Sequence, residues 1–239
     1  MYRNKTLTKA IYRSQRCQRN WDLSYQMPEE DIKVIETAVT ACPSKQNVTF
    51  YKPYFITDRD VIQKIHDATM GAYAVNKETG EGQFVTNTQV LANLLVALVE
   101  DKKPEDAIRN PQGKAWNNIP YTDEEIDMER LMNPNPKQTQ TIEDITEIGV
   151  QEHIRDRHVA VGIAAGYMNL SASLMGYSTG CCQCFDMDSV KNILGVDNEV
   201  LLLMGIGMKD KTRPRREHHL DPSLMFKTLN KTIEPEFIQ

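Results

Sequence analysis

The amino-acid sequence predicts a fold of the α+β or α/β class, because helical and strand-like segments alternate along the chain. Two apolar runs, Leu91 to Val99 and Glu199 to Met208, have the length of strands. Between them, the stretch from Val159 to Phe185 contains no charged residue. An apolar stretch of this length is typical of a helix at the centre of a sizeable core, or of a membrane span.

The uncharged stretch, extended to Asp186, is expected to form a central buried helix. Tyr167, Asn169 and several serines make it too polar for a membrane span. Its many small residues would let another backbone, from the same chain or a second subunit, approach it closely. The stretch ends in a polar turn where chemistry is expected, and this turn carries Cys181, Cys182 and Cys184.

The elements before the central stretch have recognisable boundaries. A helix is predicted from Pro28, where acidic residues would face the positive end of the helix dipole, to Cys42-Pro43. Phe50 to Thr57 is predicted to be a strand, and Pro53 places that strand at a sheet edge or interrupts it.

Two further segments are predicted to extend from a single domain that covers residues 1–239. The polar, proline-containing segment from about 101 to 150 is expected to be a variable loop, and loops of this length often form lids. The tail from about 222 to 239 carries spaced apolar residues, which indicates that it docks on its own subunit or on a second one.

Composition narrows the functional classes. The sequence is 40% hydrophobic and 26% charged, with a formal net charge of -5. This charge argues against general binding to nucleic acids or membrane surfaces. An odd number of cysteines, five, does not suggest a disulfide framework, so the reducing cytoplasm is the expected compartment.

Three polar clusters are candidates for a binding site. Each could simply be a solvated turn, but paired guanidinium groups also bind phosphate oxygens in bidentate fashion. Taken alone, none of the three is specific. The clusters are Ser14 to Trp21, Pro43 to Asn47, and the basic loop Lys211 to Arg216.

Together, and in this order along the chain, four motifs resemble those of the nitroreductase family of FMN-dependent oxidoreductases. Each motif is degenerate, so the order carries the resemblance. The motifs are Gln15 to Trp21, Ala41 to Asn47, Met175-Gly176 through Phe185-Asp186, and Leu201 to Arg216.

The resemblance implies a three-layer α/β/α arrangement, with a mixed or antiparallel central sheet around a long buried helix. It also implies an intertwined homodimer with two FMN sites at the interface, in which the C-terminal tail of each chain adds a strand to the sheet of its partner.

The resemblance implies that NADH or NADPH gives a hydride to flavin N5, and that an oxidised small molecule such as a nitroaromatic, quinone or enone then takes the electrons. The cofactor carries the chemistry, so no catalytic side chain is expected. Arginines would bind the phosphate and ribityl end, Ser44 and Asn47 would line the ring edge, and Asn87 would lie near the pyrimidine. The implied cofactor-binding residues are Arg16, Cys17, Arg19, Ser44, Asn47, Asn87, Cys182, Gln183, Arg213 and Arg215.

Departures from the family pattern leave alternatives open. Cys17 replaces a serine, Gln15 replaces an arginine and Cys184 replaces a glycine. One alternative is therefore a family member with a dedicated substrate, which catalyses a reaction such as reductive dehalogenation or flavin breakdown. A non-enzymatic flavin or thiol redox sensor is another. Cys181, Cys182 and Cys184 could be small buried side chains, a thiol redox centre, or zinc ligands together with His218 and His219.

Overall fold

The computed structural model describes residues 2–103, 142–227 and 233–238. Within them, helices and strands alternate as expected. The helices are α1 (Tyr2–Ser14), α2 (Glu29–Thr40), α3 (Arg59–Asp67), α4 (Ile142–Met175) and α5 (Met187–Leu194), with short 3-10 turns at Lys45–Asn47 and Thr88–Val90. The strands are β1 (Tyr51–Ile56), β2 (Ala72–Asn76), β3 (Gly82–Val85), β4 (Leu94–Glu100), β5 (Ser178–Cys182), β6 (Val200–Gly207) and β7 (Leu224–Phe226).

The central sheet has the order β1-β4-β6-β5, and each neighbouring pair is antiparallel. Every residue of β4 is buried, because helices cover both faces of the sheet. Leu94 and Val96 pack with α2 and α4, whereas Leu95 and Ala97 pack with α3 and α5. The expected three-layer α/β/α fold is therefore confirmed, and its central sheet is antiparallel.

Several predicted elements lie where the sequence indicated. Helix α2 begins directly after Pro28 with three acidic residues in its first turn. Strand β1 lies at an edge of the described sheet, and Pro53 is tolerated there because an edge strand can lack one amide donor. Strand β6 falls within the second apolar run, and β4 overlaps the first but ends one residue beyond it, at Glu100.

The prediction of one uncharged helix that begins at Val159 and stops only at the polar cysteine turn was wrong at both ends. Helix α4 has 34 residues and begins earlier, at Ile142. It ends at Met175, because Gly176 adopts a φ of 100° that other residues rarely reach, and the chain then continues as β5. The polar turn with the three cysteines therefore belongs to a strand and its end.

Helix α4 is also not buried all round within one chain. Ala164 and Met168 are fully buried against the sheet, whereas Val159, Tyr167 and Leu174 are 57%, 47% and 48% exposed. Its exposed side is polar at Gln151, Arg155 and His158, and becomes apolar from Val159 onward. One chain therefore leaves an uncovered apolar surface on its longest helix.

A second, smaller sheet has the order β3-β2-β7. Strand β7 pairs with β2 of its own chain, with Phe226 opposite Ala74. Leu224–Phe226 of the tail therefore docks on its own subunit. Farther along, Ile233, Phe237 and Ile238 are 72%, 84% and 101% exposed.

The predicted loop from about 101 to 150 is shorter than expected, because α4 already begins at Ile142. Most of this loop, residues 104–141, lies outside the described residues.

Candidate functional site

The segment that follows α1 connects two parts of the fold. The Gln18 N–H donates to the Thr179 carbonyl of β5 at 2.7 Å. Asn20 is fully buried, and its Nδ2 donates to the carbonyls of Pro214 at 2.7 Å and Glu217 at 3.1 Å. The two basic regions predicted from the sequence therefore lie side by side.

Four guanidinium groups meet at this junction, and we call Arg16, Arg19, Arg215 and Arg216 the arginine cluster. Burial lowers the pKa of the Arg19 guanidinium. The pKa of Arg215 is lowered by burial first, and then by the positive charges of the other three arginines. Arg19 and Arg215 are half-buried, whereas Arg16 and Arg216 are exposed. Such mutual repulsion is unfavourable unless an anion compensates it.

The arginine cluster retains unused hydrogen-bonding capacity. The Arg19 Nε is buried without a hydrogen-bond partner, and its guanidinium carbon lies 4.4 Å from the centroid of the Phe226 ring. Arg215 Nη1 donates to the Cys17 carbonyl at 3.3 Å. Within the described ranges, no carboxylate forms an ion pair with any of the four. Planar donors in this state suit a phosphate.

Arg213, which was also expected at the phosphate, has other partners. It donates to the His219 carbonyl, and its Nε lies 3.9 Å from Asp210 Oδ2. Arg216, which was not among the expected binding residues, contributes to the cluster instead. The basic loop alone could not distinguish these two arginines, because both occur in one short run of cations.

Four of the five cysteines gather beside the arginine cluster. Cys17 interacts electrostatically with both Cys181 and Cys182. Burial raises the pKa of Cys181 to about 12 and that of Cys182 to about 11. The Cys182 Sγ donates to the Cys184 carbonyl at 3.7 Å. Cys181 and Cys182 are therefore protonated at neutral pH, although metal binding and thiol redox chemistry require thiolates.

The two histidines considered as zinc ligands have structural contacts. His218 packs against Phe226 with ring centroids 5.7 Å apart, and its Nδ1 accepts from the backbone N–H groups of Leu220 and Asp221. In the part of the chain that the structure describes, no group of His, Cys, Asp and Glu residues has the arrangement of a metal site.

The Thr88–Val90 turn crosses the sheet very closely beside the cysteines. A Cβ at Gly205 would lie 2.1 Å from the Gln89 carbonyl oxygen, and one at Gly180 would lie 2.6 Å from the Gln89 Cβ. These two positions therefore require glycine. Gln89 Nε2 donates to the Cys181 carbonyl at 3.3 Å, while its Oε1 is buried without a partner.

Asn87 and Gln183 lie beside the same turn, but their side-chain amides already donate hydrogen bonds within the chain. The Asn87 Nδ2 donates to the carbonyls of Met70 at 2.9 Å and Cys184 at 3.1 Å, so this buried side chain ties two loops together. The Gln183 side chain is exposed, and its Nε2 donates to the Leu201 carbonyl at 3.3 Å. Both are held near the strand end through their side-chain amides.

Ser44 and Asn47 do not join this site within one chain. Their loop is anchored near Asp156 of α4 through Lys45, with 2.9 Å between Lys45 Nζ and Asp156 Oδ2. The segment that leads into the arginine cluster is anchored at Ser173 of α4, whose carbonyl accepts from Arg13 Nη1 at 2.9 Å. These two points on α4 are separated by about 25 Å at the rise of an α-helix.

The local geometry of the Ser44–Asn47 loop is well defined. The Ser44 Oγ donates to the Val48 carbonyl at 2.8 Å. Asn47 has a φ of 62°, a left-handed conformation that asparagine tolerates better than most residues. The loop is ordered locally but distant from the arginine cluster of its own chain.

Three buried residues that hold the site together, Asn20, Gln89 and Phe226, were not found from the sequence. Asn20 and Gln89 act on residues distant in sequence, and no local pattern distinguishes them from other amides. Phe226 belongs to the tail, whose apolar residues were predicted only to dock on a subunit.

Comparison with known proteins gives a consistent result. The family model described as "Nitroreductase family" matches residues 12–208. The Bacillus subtilis protein ydfN has a similar structure, with a TM-score of 0.57 at 18% identity over 97% of this chain and 98% of that one. A Staphylococcus epidermidis protein described as an NAD(P)H:FMN oxidoreductase matches with a TM-score of 0.57 at 15% identity, over 97% of this chain and 95% of that one.

A third similar structure, described as a nitroreductase in complex with FMN, comes from Exiguobacterium sibiricum. It has a TM-score of 0.55 at 16% identity and covers 87% of this chain and 90% of that one. At such identities the likeness shows a shared fold. A search of curated proteins gives no match.

Helix α4 was considered as a membrane span because of its apolar second half. Of the helices in the described ranges, none combines the length and hydropathy that crossing a bilayer requires.

Proposed function

The chain belongs to the nitroreductase family, which makes it an oxidoreductase, and we propose that it binds FMN and passes electrons from NADH or NADPH to an oxidised small molecule. The acceptor class that we propose comprises nitroaromatics, quinones and enones. The observation that carries the proposal is the arginine cluster, which has no carboxylate partner among the described residues and includes a buried Nε without a partner.

The residues at this junction fit a flavin phosphate. Arg19 and Arg215 are the two half-buried members of the cluster, so they would hold the phosphate of a resident cofactor through charge-assisted hydrogen bonds. The adjacent Cys17 thiol is a weaker donor than the serine it replaces. We therefore assign the phosphate mainly to the two guanidinium groups.

The remaining residues would orient the ring. Bound FMN supplies the two-electron chemistry, so the protein needs to bind and orient reactants. The backbone of Cys182 and Gln183 would lie beside the ring, and Asn87 would hold that backbone in position through its bond to the Cys184 carbonyl. The protonated Cys181 and Cys182 thiols would act as small buried side chains, which disfavours a thiol sensor.

We propose that the functional unit is a homodimer. In one chain, the Ser44–Asn47 loop and the arginine cluster are anchored about 25 Å apart along α4. Two antiparallel copies of α4 would bring the loop of one chain to the arginine cluster of the other. The exposed apolar residues of α4 and of residues 233–238 supply surface for this contact. The five free cysteines are consistent with a reducing, cytoplasmic location.

The proposal is tested by identifying the flavin and its reduction. The purified protein should release FMN on denaturation, and NADH or NADPH should bleach the bound flavin under anaerobic conditions. Addition of a quinone or nitroaromatic should restore the absorption with multiple turnovers. Protein that takes up no flavin contradicts the proposal, whereas bound flavin without turnover on any acceptor identifies a flavin-binding protein that is not an enzyme.

A further inference from the structure

The arginine cluster carries more positive charge than one flavin phosphate can compensate. A phosphate monoester has a charge of about -1.5 to -2 near neutral pH. Two guanidinium groups balance it, and Arg19 and Arg215 are the half-buried pair. Arg16 and Arg216 remain, and both act electrostatically on Arg215. No carboxylate in the described part of the chain pairs with either of them.

We propose that Arg16 and Arg216 form a second phosphate subsite, which binds the 2′-phosphate of NADPH and gives the enzyme a preference for NADPH over NADH. This inference rests on the proposed function, because it assumes that FMN occupies the half-buried pair. It goes further by selecting one of the two nicotinamide co-substrates.

The difference in burial supports two distinct subsites. A resident cofactor is best held by half-buried groups, whose interactions are little screened by solvent. A co-substrate that binds and leaves in every cycle needs an accessible site, and Arg16 and Arg216 are exposed. The backbone of Arg216 is fixed, because its carbonyl accepts from the Phe226 N–H at 2.6 Å, and Phe226 also contacts Arg19. Arg216 is therefore held next to the half-buried pair. Arg16 directly precedes Cys17, whose carbonyl accepts from Arg215 Nη1 at 3.3 Å, so its backbone also lies beside this pair.

The 2′-phosphate matches this second pair in charge. It is a monoester with a charge of about -1.5 to -2 and three terminal oxygens, which two guanidinium groups can bind in bidentate fashion. NADH lacks this group but shares every other part of NADPH. Any contribution of Arg16 and Arg216 to the 2′-phosphate therefore appears as a difference between the two co-substrates.

The first experiment measures binding to the FMN-loaded protein by calorimetry, with adenosine 2′,5′-bisphosphate and AMP as probes that differ only in the 2′-phosphate. The bisphosphate should bind at least about tenfold more tightly, a difference of about 1.4 kcal/mol. Arg16→Gln with Arg216→Gln should abolish this difference. Lys211→Ala, an exposed cation of the same loop outside the cluster, should preserve it.

The second experiment separates the subsite from the FMN site. In the Arg16→Gln, Arg216→Gln variant, measured on protein with verified FMN content, the ratio of the KM for NADPH to the KM for NADH should rise about tenfold or more. Equal binding of the two probes by the parent protein overturns the inference. So does an equal rise of both KM values, or loss of FMN from the variant. Absence of flavin from the parent protein contradicts the proposed function instead.

Discussion

At the scale of single residues, Arg19 has the most informative environment. Its Nε is buried without a partner, its pKa is lowered by burial, and its guanidinium lies over Phe226. A buried donor without a partner is costly in the absence of a ligand. The side chain is therefore held ready for an anion by contacts that leave its donors available.

The first prediction concerns the phosphate. Arg19→Ala or Arg215→Ala should weaken FMN binding by about tenfold to a hundredfold, since a hydrogen bond to a charged group contributes roughly 1.5–3 kcal/mol. Riboflavin, which lacks the phosphate, should lose little affinity. Fluorescence titration of both flavins measures the difference, with Lys211→Ala as the control. An equal loss for both flavins would show that these arginines do not bind the phosphate.

The second prediction concerns the thiols. At pH 8, iodoacetamide should modify exposed Cys184 faster than Cys181 and Cys182, because alkylation requires the thiolate and burial raises the pKa of the latter two to about 12 and 11. Peptide mass spectrometry measures the three rates, and the same reaction in urea is the control in which they converge. Similar rates in the folded protein would contradict the protonated, buried state of the two thiols.

Residue chemistry was only partly predictable from the sequence. Arg16, Arg19 and Arg215 were predicted to bind a phosphate from the family resemblance and from the tendency of guanidinium groups to bind anions, and the structure places them in one cluster. The proximity of Cys17 to Cys181 could not be predicted, because it depends on the backbone hydrogen bond between Gln18 and Thr179. Such long-range neighbours are determined by the fold and leave no local pattern.

At the scale of elements, predictions succeeded where one physical cause dominated. Strands β4 and β6 are apolar throughout because helices cover both faces of the sheet. The prediction of one helix from Val159 to the cysteine turn was wrong because the second half of helix α4 and strand β5 share an uncharged, small-residue composition. Only Gly176 and Tyr177 separate them, and the positive φ of Gly176 is not visible in the sequence.

The third prediction concerns His66 of α3, which contacts Thr86, the residue after β3. His66 is 1% exposed, its Nε2 lies 2.6 Å from Thr86 Oγ1, and burial lowers its pKa despite the opposing hydrogen bond to Asp67. Because the folded-state pKa lies below the unfolded value of about 6.5, protonation favours unfolding. The free energy of unfolding should therefore decrease as the pH falls below about 6.5.

Urea titrations at pH 7.5, 6 and 5 measure this effect, where the pH values are chosen to bracket a histidine pKa of about 6.5. His66→Gln should reduce the pH dependence without abolishing it, since burial also lowers the pKa of His153, His218 and His219. His158→Gln, at an exposed position on α4, is the control that should leave it unchanged. An unaltered slope in His66→Gln would refute the assignment.

At the scale of the whole molecule, one chain leaves two features incomplete. The Ser44–Asn47 loop is remote from the arginine cluster, and the second half of α4 exposes apolar side chains. Gly162 and Gly166 lie within this exposed half, and a Cβ at either would meet nothing within 4 Å in its own chain. Glycine inside a helix costs about 1 kcal/mol relative to alanine. A second backbone close to both positions would explain why they are glycine.

The fourth prediction tests this explanation together with the assembly. Gly162→Leu with Gly166→Leu should shift the protein from dimer to monomer, because bulky side chains would prevent the close approach of a second helix. The variant should also lose FMN, because the Ser44–Asn47 part of each site would come from the other chain. Light scattering coupled to size-exclusion chromatography measures the mass, and flavin absorbance measures the FMN occupancy.

The control is Gln151→Leu, on the polar part of the same exposed side of α4. It adds comparable bulk outside the apolar region and should remain dimeric and yellow. A double-leucine variant that is folded, dimeric and fully loaded with FMN would show that the second subunit does not pack on this part of α4.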